Sequence, residues 1–153
     1  MKDLQLVPAS DVEDIKCDPV KPEEVEEILS LYVPQMEGIV VGAKGWGLAA
    51  PQVGIKKQFF IIKNPETDKF DTYFNAFYVR ESDSKIKVLE GCLSYGINNR
   101  VAVKRFKSVR VISDLWQAEK KQFIRSSQRF RQEQAIAFQH EIDHLSGITI
   151  FTK

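Results

Sequence analysis

This 153-residue chain has two histidines, and both fall in one short run, His140-Glu141-Ile142-Asp143-His144. On a helix, positions i and i+4 share a face, so both imidazoles can meet one metal ion. Glu141 follows the first histidine and can reach a water on that ion, the place of a general acid/base. A purely structural metal site closes its coordination with four protein ligands, whereas a catalytic one uses three and keeps a position open. The third ligand is expected upstream, because the nine residues after His144 include no His, Cys, Asp or Glu. Cys92, in Glu90-Gly91-Cys92-Leu93-Ser94, is the best candidate. Alone it reads as a small buried hydrophobe; beside the histidine pair it reads as a thiolate ligand, with Gly91 permitting close backbone approach. The chemistry expected is that of a metal-dependent amidohydrolase.

Composition bounds the rest. An apolar fraction of 43% and a charged fraction of 28% suit a single soluble domain over residues 1–153 with its own core. A net charge of +1 makes no case for a specific nucleic-acid or membrane partner. Two basic clusters, Lys104-Arg105 with Lys107 and Arg110, and Arg125 with Arg129 and Arg131, read as solvated faces. The start, Met1 to Gln5, lacks the apolar stretch of a signal peptide, and no apolar run nears the roughly 18 residues of a membrane span. A cytoplasmic protein is expected, and in a reducing compartment Cys17 and Cys92 should not form a disulfide.

The elements that must position these residues follow from periodicity. Residues 1–20 read as irregular. Pro22 suits the first turn of a helix from about Glu23, with Val25, Ile28, Leu29 and Tyr32 on one face. Pro34 should end or kink it, with helix resuming over 35–41. The glycine-rich stretch 42–47 reads as loop or extended edge. Residues 59–62 form a buried strand candidate, 64–68 a turn, and further strands fit 72–79, 85–89 and 121–125. The alternation across 100–112 suggests long antiparallel strands. Ser127 could cap a last helix carrying Phe130, Gln134, Glu141 and His144, stopped by Gly147. Residues 148–151 could return as a short strand. The class expected is α+β, a largely antiparallel sheet packed around a C-terminal helix that bears the H-E-x-x-H motif.

By itself Gly45-Trp46-Gly47-Leu48-Ala49-Ala50-Pro51-Gln52 reads as a tight turn. Three runs in order, G-x-G-L-A-A-P-Q, E-G-C-L-S and Q-H-E-x-D-H, make the chain resemble the peptide deformylases from about Gly45 to Gly147. The resemblance implies hydrolytic removal of the formyl group from the N-terminal formylmethionine of newly made polypeptides. It implies one divalent metal on Cys92, His140 and His144, usually Fe²⁺, with Zn²⁺, Ni²⁺ or Co²⁺ as alternatives, and a water in the fourth position. Glu141 would pass the water's proton to the leaving amine, while the Gln52 amide and the Leu93 N–H stabilise the oxyanion. Along the substrate main chain stand Gly45, the backbone of Trp46, Gly47 and the carbonyl of Gly91. Val88, Trp46, Ile136 and Ala137 would wall the methionine pocket, Arg100 would border the substrate, and Asp143 would pair with Arg105 behind the ligands.

Implied partners are formyl-methionyl nascent peptides, with the ribosome as a candidate, and the chain is expected to act as a monomer. Some positions depart from the family pattern. No proline follows E-G-C-L-S, Trp46 replaces a small aliphatic residue, and Asn75-Ala76 stands for an asparagine-proline pair. The short run after His144 leads to the expectation of a compact variant. Its place would be the bacterial cytoplasm, or the host's if phage-encoded, with an organelle as the lesser alternative. Two rivals are an H-E-x-x-H metalloprotease, which Cys92 and Gln52 oppose, and a non-catalytic member of the same fold, which Glu141 opposes.

Overall fold

The run Phe59-Phe60-Ile61-Ile62 lacks polar alternation because its strand is covered on both faces. In the computed structural model, which describes residues 3–153 (backbone alone at 97 and 98), Phe59 and Ile61 enter one core. Phe60 and Ile62 enter another. Met1 and Lys2, part of the stretch expected to be irregular, lie outside the described residues.

Seven strands are described: β1 (Gly47–Ala49), β2 (Phe59–Asn64), β3 (Lys69–Arg80), β4 (Lys85–Cys92), β5 (Gly96–Phe106), β6 (Ser108–Gln117) and β7 (Gln122–Arg131). Five form a sheet of order β1-β2-β3-β6-β7, and β4 and β5 form a separate ribbon. Every pairing between these strands is antiparallel. The alternating stretch 100–112 therefore divides between ribbon and sheet at Lys107.

One face of the sheet carries α1 (Pro22–Glu27) and α2 (Val33–Gly42), which bury Val25, Met36 and Val40. The other carries α3 (Gln132–Leu145). On α3, Ala135, Phe138, Ile142 and Leu145 recur three or four residues apart and are buried in the second core. Phe138 meets Tyr73 edge-on at 4.9 Å and stacks on Phe130 at 4.0 Å. The class is thus α+β, with antiparallel sheets and a C-terminal helix.

Several local expectations are corrected. Pro34 does not end its helix. The chain stays helical from Pro22 to Gly42 by inserting a π turn at Ile28–Tyr32, where the Val33 N–H reaches back to the Ile28 carbonyl. Proline lacks an N–H and crowds the carbonyl four residues before it, and the wider turn absorbs both. Ser127 caps nothing: it pairs with Ile112 inside β7, and α3 begins five residues later. The helix is launched instead by Gln132, which adopts φ 56° and donates its N–H to the Lys107 carbonyl at 2.9 Å. Residues 148–151 form no strand; the chain turns over 150–152, with the Thr152 N–H donating to the Thr149 carbonyl. Gly147 does stop α3, at φ 75°, and a Cβ there would stand 2.5 Å from the Ile15 nitrogen. The basic clusters are not simply solvated. Arg105 is 1% exposed, and Arg110 and Arg129 both pair with Glu81. No helix among the described residues is long and apolar enough to cross a membrane.

Phe138 is the aromatic anchor of α3, so Phe138→Ala should destabilise the fold by about 3–5 kcal/mol. Urea denaturation followed by circular dichroism measures this, and an unchanged midpoint would contradict the packing role.

Candidate active site

One turn of α3 separates His140 from His144, and their Nε2 atoms lie 3.2 Å apart. Cys92, the last residue of β4, brings Sγ to 3.6 Å from His144 Nε2. One donor atom from each of the three residues lies within 4.8 Å of the others. A tetrahedral ion with a metal–sulfur bond of about 2.3 Å and metal–nitrogen bonds of about 2.0–2.1 Å needs edges of about 3.3 Å (N–N) and 3.6 Å (N–S). Both observed edges fit, and one thiolate with two imidazoles suits a borderline-soft transition metal.

A buried charge network orients these donors. His140 Nδ1 contacts Glu90 Oε1 at 2.9 Å, which leaves Nε2 turned toward the other ligands. Arg105 donates twice to Glu90, at 2.7 and 2.8 Å, and once to Asp143, at 2.6 Å. Asp143 also accepts from the Tyr78 hydroxyl at 3.1 Å and from Lys153 Nζ at 3.0 Å. Arg105 and Asp143 are thus in direct contact. Glu90 was missed, although a strand's period of two sets it on the face of Cys92.

Burial alone would raise the Glu90 carboxyl, but hydrogen bonds from Arg105 and then His140 hold it down at about 2. Burial works against a charged His140, yet its bonds to Cys92 and Glu90 outweigh this and raise its pKa. His144 is pushed down by burial and then by the charge on His140. Burial lifts the Glu141 carboxyl to about 7, against the pull of His140 and Arg105.

Cys92, His140 and Glu141 line a cleft of about 960 Å³, with His144 buried behind them. Its lining includes Gly45, Trp46, Gly47, Val88, Gly91, Leu93, Arg100, Ile136 and Ala137, all anticipated, and also Lys44 and Glu133, which were not. Gln52 is 2% exposed; its Oε1 accepts from the Ala49 N–H at 2.9 Å, which turns Nε2 toward Cys92 Sγ (3.4 Å) and Ser94 Oγ (3.0 Å). At Gly47 a Cβ would lie 2.8 Å from the Ile61 carbonyl and 2.9 Å from Glu141 Oε2, so only glycine admits the carboxylate there. Glu141 Oε1 is buried and has no hydrogen-bond partner among the described residues. The Trp46 carbonyl accepts from the Lys63 N–H, so by strand alternation the backbone groups of Gly47 face away from β2. The Trp46 ring is half exposed at the cleft.

The Glu90 pairing predicts a pH signature. A carboxyl lowered from 4.5 to about 2 contributes stability above pH 4.5 and loses it as pH falls toward 2. The stability gap between the parent and Glu90→Gln should narrow over that window in pH-dependent urea titrations. A gap independent of pH would contradict the network.

The polypeptide deformylase family model matches residues 5–153. The chain is 32% identical to the peptide deformylase of Natranaerobius thermophilus, over 98% of this chain and 92% of that one. It is 33% identical to that of Desulforudis audaxviator, over 89% and 88%. Among solved structures it is similar to a class I type b peptide deformylase from Acinetobacter baumannii, at a TM-score of 0.83 and 28% identity over 98% of both chains. The peptide deformylase of Thermotoga maritima superposes at 0.79, with 26% identity over 99% of this chain and 97% of that one. With a family match over nearly its whole length and a Cys-His-His cluster at the floor of its cleft, the chain belongs to the peptide deformylases, metal-binding hydrolases of protein biosynthesis.

Proposed function

We propose that this enzyme hydrolyses the formyl group from the N-terminal formylmethionine of newly made polypeptides and releases formate. The observation that carries the reading is the Cys92-His140-His144 cluster opening, beside buried Glu141, onto the cleft. The three donors would hold one divalent cation, with Fe²⁺ the proposed native ion. Such a cation would supply Lewis-acid polarisation of the formyl group and a more acidic water. Glu141 would take a proton from the attacking water as the water's oxygen adds to the formyl carbon. It returns the proton to the amine nitrogen as the C–N bond breaks, leaving formate and a free N-terminus. Glu141 is buried beside the cluster, where a positioned carboxyl can take a proton and give it back.

Gln52 Nε2 and the Leu93 N–H donate to the oxyanion, and the Ala49 bond to Gln52 supports this by fixing the amide's direction beforehand. The substrate lies extended between Gly47, on the free edge of β1, and the Gly91 carbonyl of β4. Its methionine side chain packs on Val88, Ile136, Ala137 and Trp46, and Arg100 stands at the rim. Such substrates arise at the ribosome, so we propose cytoplasmic action there by a monomer.

The test is formate release from formyl-Met-Ala-Ser, paired with metal analysis of anaerobically purified protein. Glu141→Ala should keep one metal per chain and lose at least about a hundredfold in turnover. Gln52→Leu should also keep the metal and lose about a hundredfold. Internal peptide fragments without formate, or turnover that survives Glu141→Ala, would sink the proposal.

A further inference from the structure

Cys92 comes from the β4–β5 ribbon and the histidines from α3, so the ligand triangle depends on how the ribbon sits on that helix. Before Cys92 in the chain, the seat is Glu90, bonded to His140 and Arg105. After Cys92, a single turn at Leu93–Tyr95 ends on Tyr95. The Tyr95 hydroxyl donates to Glu13 and, having spent its one hydrogen there, accepts from Thr149 Oγ1 at 2.7 Å. Its ring meets Phe151 edge-on at 4.4 Å.

Thr149 and Ile150 are buried, and Ile150 packs directly with Cys92 and Val103. Lys153 Nζ then reaches Asp143 Oδ2, the oxygen that Arg105 also holds. The segment after α3 thus touches the Cys92 turn at one end and the acid beside His144 at the other. It leaves the helix in a fixed direction, because Gly147 is packed against the backbone of Asp14 and Ile15 and its carbonyl accepts from the Asp14 N–H.

We infer that residues 149–153 clamp the metal site, with Tyr95 and Lys153 as positioning residues that hold Cys92 against the two histidines. Neither touches the substrate. The pair acts on how firmly the metal is retained, and the inference rests on the metal site proposed above. Loss of the hydroxyl frees the turn after Cys92, and loss of the ammonium leaves Asp143 Oδ2 to Arg105, with Tyr78 on the other oxygen.

The experiment uses Ni²⁺-loaded protein, well below its melting temperature, with metal release into excess chelator followed over time and kcat and KM measured on formyl-Met-Ala-Ser. Tyr95→Phe keeps the ring on Phe151 and removes both hydroxyl bonds. It should release Ni²⁺ about 3–10 times faster than the parent and lower kcat, with KM held within about twofold. Lys153→Gln should speed release by about 2–5 times. Thr149→Val, which spares the Tyr95–Glu13 bond, provides the same readout if Tyr95→Phe does not fold. Release at the parental rate in the folded variants, with only a lower melting temperature, would reduce the clamp to ordinary packing and overturn it. A parent that takes up no Ni²⁺ would overturn the metal site itself, and the clamp with it.

Discussion

Arg105 carries its guanidinium almost wholly out of water, 1% exposed, between two carboxylates that are 7% and 6% exposed. Such a charge is tolerated because each of its three nitrogens donates, two to Glu90 and one to Asp143. Its effect on the fold is geometric. Glu90 lies on β4 and Asp143 on α3, so the guanidinium ties the ribbon to the helix. Cys92 lies two residues beyond Glu90, and His144 directly follows Asp143. The ion pairs therefore set the distance between thiolate and imidazoles, although Arg105 touches no ligand atom directly among its hydrogen bonds. Replacing this network with apolar side chains of similar volume could keep the fold stable, but it would forfeit the partner of His140 Nδ1.

The site floor is equally constrained by size. Gly47 gives β1 room beside Glu141, and Gln52 is aimed by a bond to a residue only three positions earlier. Glu141, the proposed proton carrier, is kept dry, with one oxygen lacking a partner among the described residues. Such an unsatisfied buried oxygen is costly in a resting fold and useful where a water must be deprotonated. Stability and chemistry thus pull in opposite directions at Glu141 and in the same direction at Glu90.

How far this was legible from sequence depends on the range of each interaction. His140 and His144 are related by one helical turn, so local geometry alone brings them together. Cys92 was reached by exclusion, since the residues after His144 offer no ligand. Phe59 to Ile62 announced a buried strand. What escaped were long-range partners. Glu90 looks like one more surface acid until Arg105 and His140 are seen around it, and Tyr95 and Lys153 gain meaning only once the chain after α3 folds back under Cys92. Local signals also misled where tertiary context prevailed. Ser127 looked like a cap because Phe130 falls at helical spacing from the motif, yet pairing with β6 holds it in a strand. Pro34 looked like a stop or a kink, and a π turn before it lets the helix run on.

X-ray absorption spectroscopy of the zinc-loaded protein is the most direct test that Cys92, His140 and His144 form one tetrahedral centre. The account predicts one sulfur neighbour at about 2.3 Å and nitrogen or oxygen neighbours at about 2.0–2.1 Å, with imidazole scattering from two rings. A first shell made only of nitrogen and oxygen would contradict it, because the ribbon would then not deliver its thiolate to the helix.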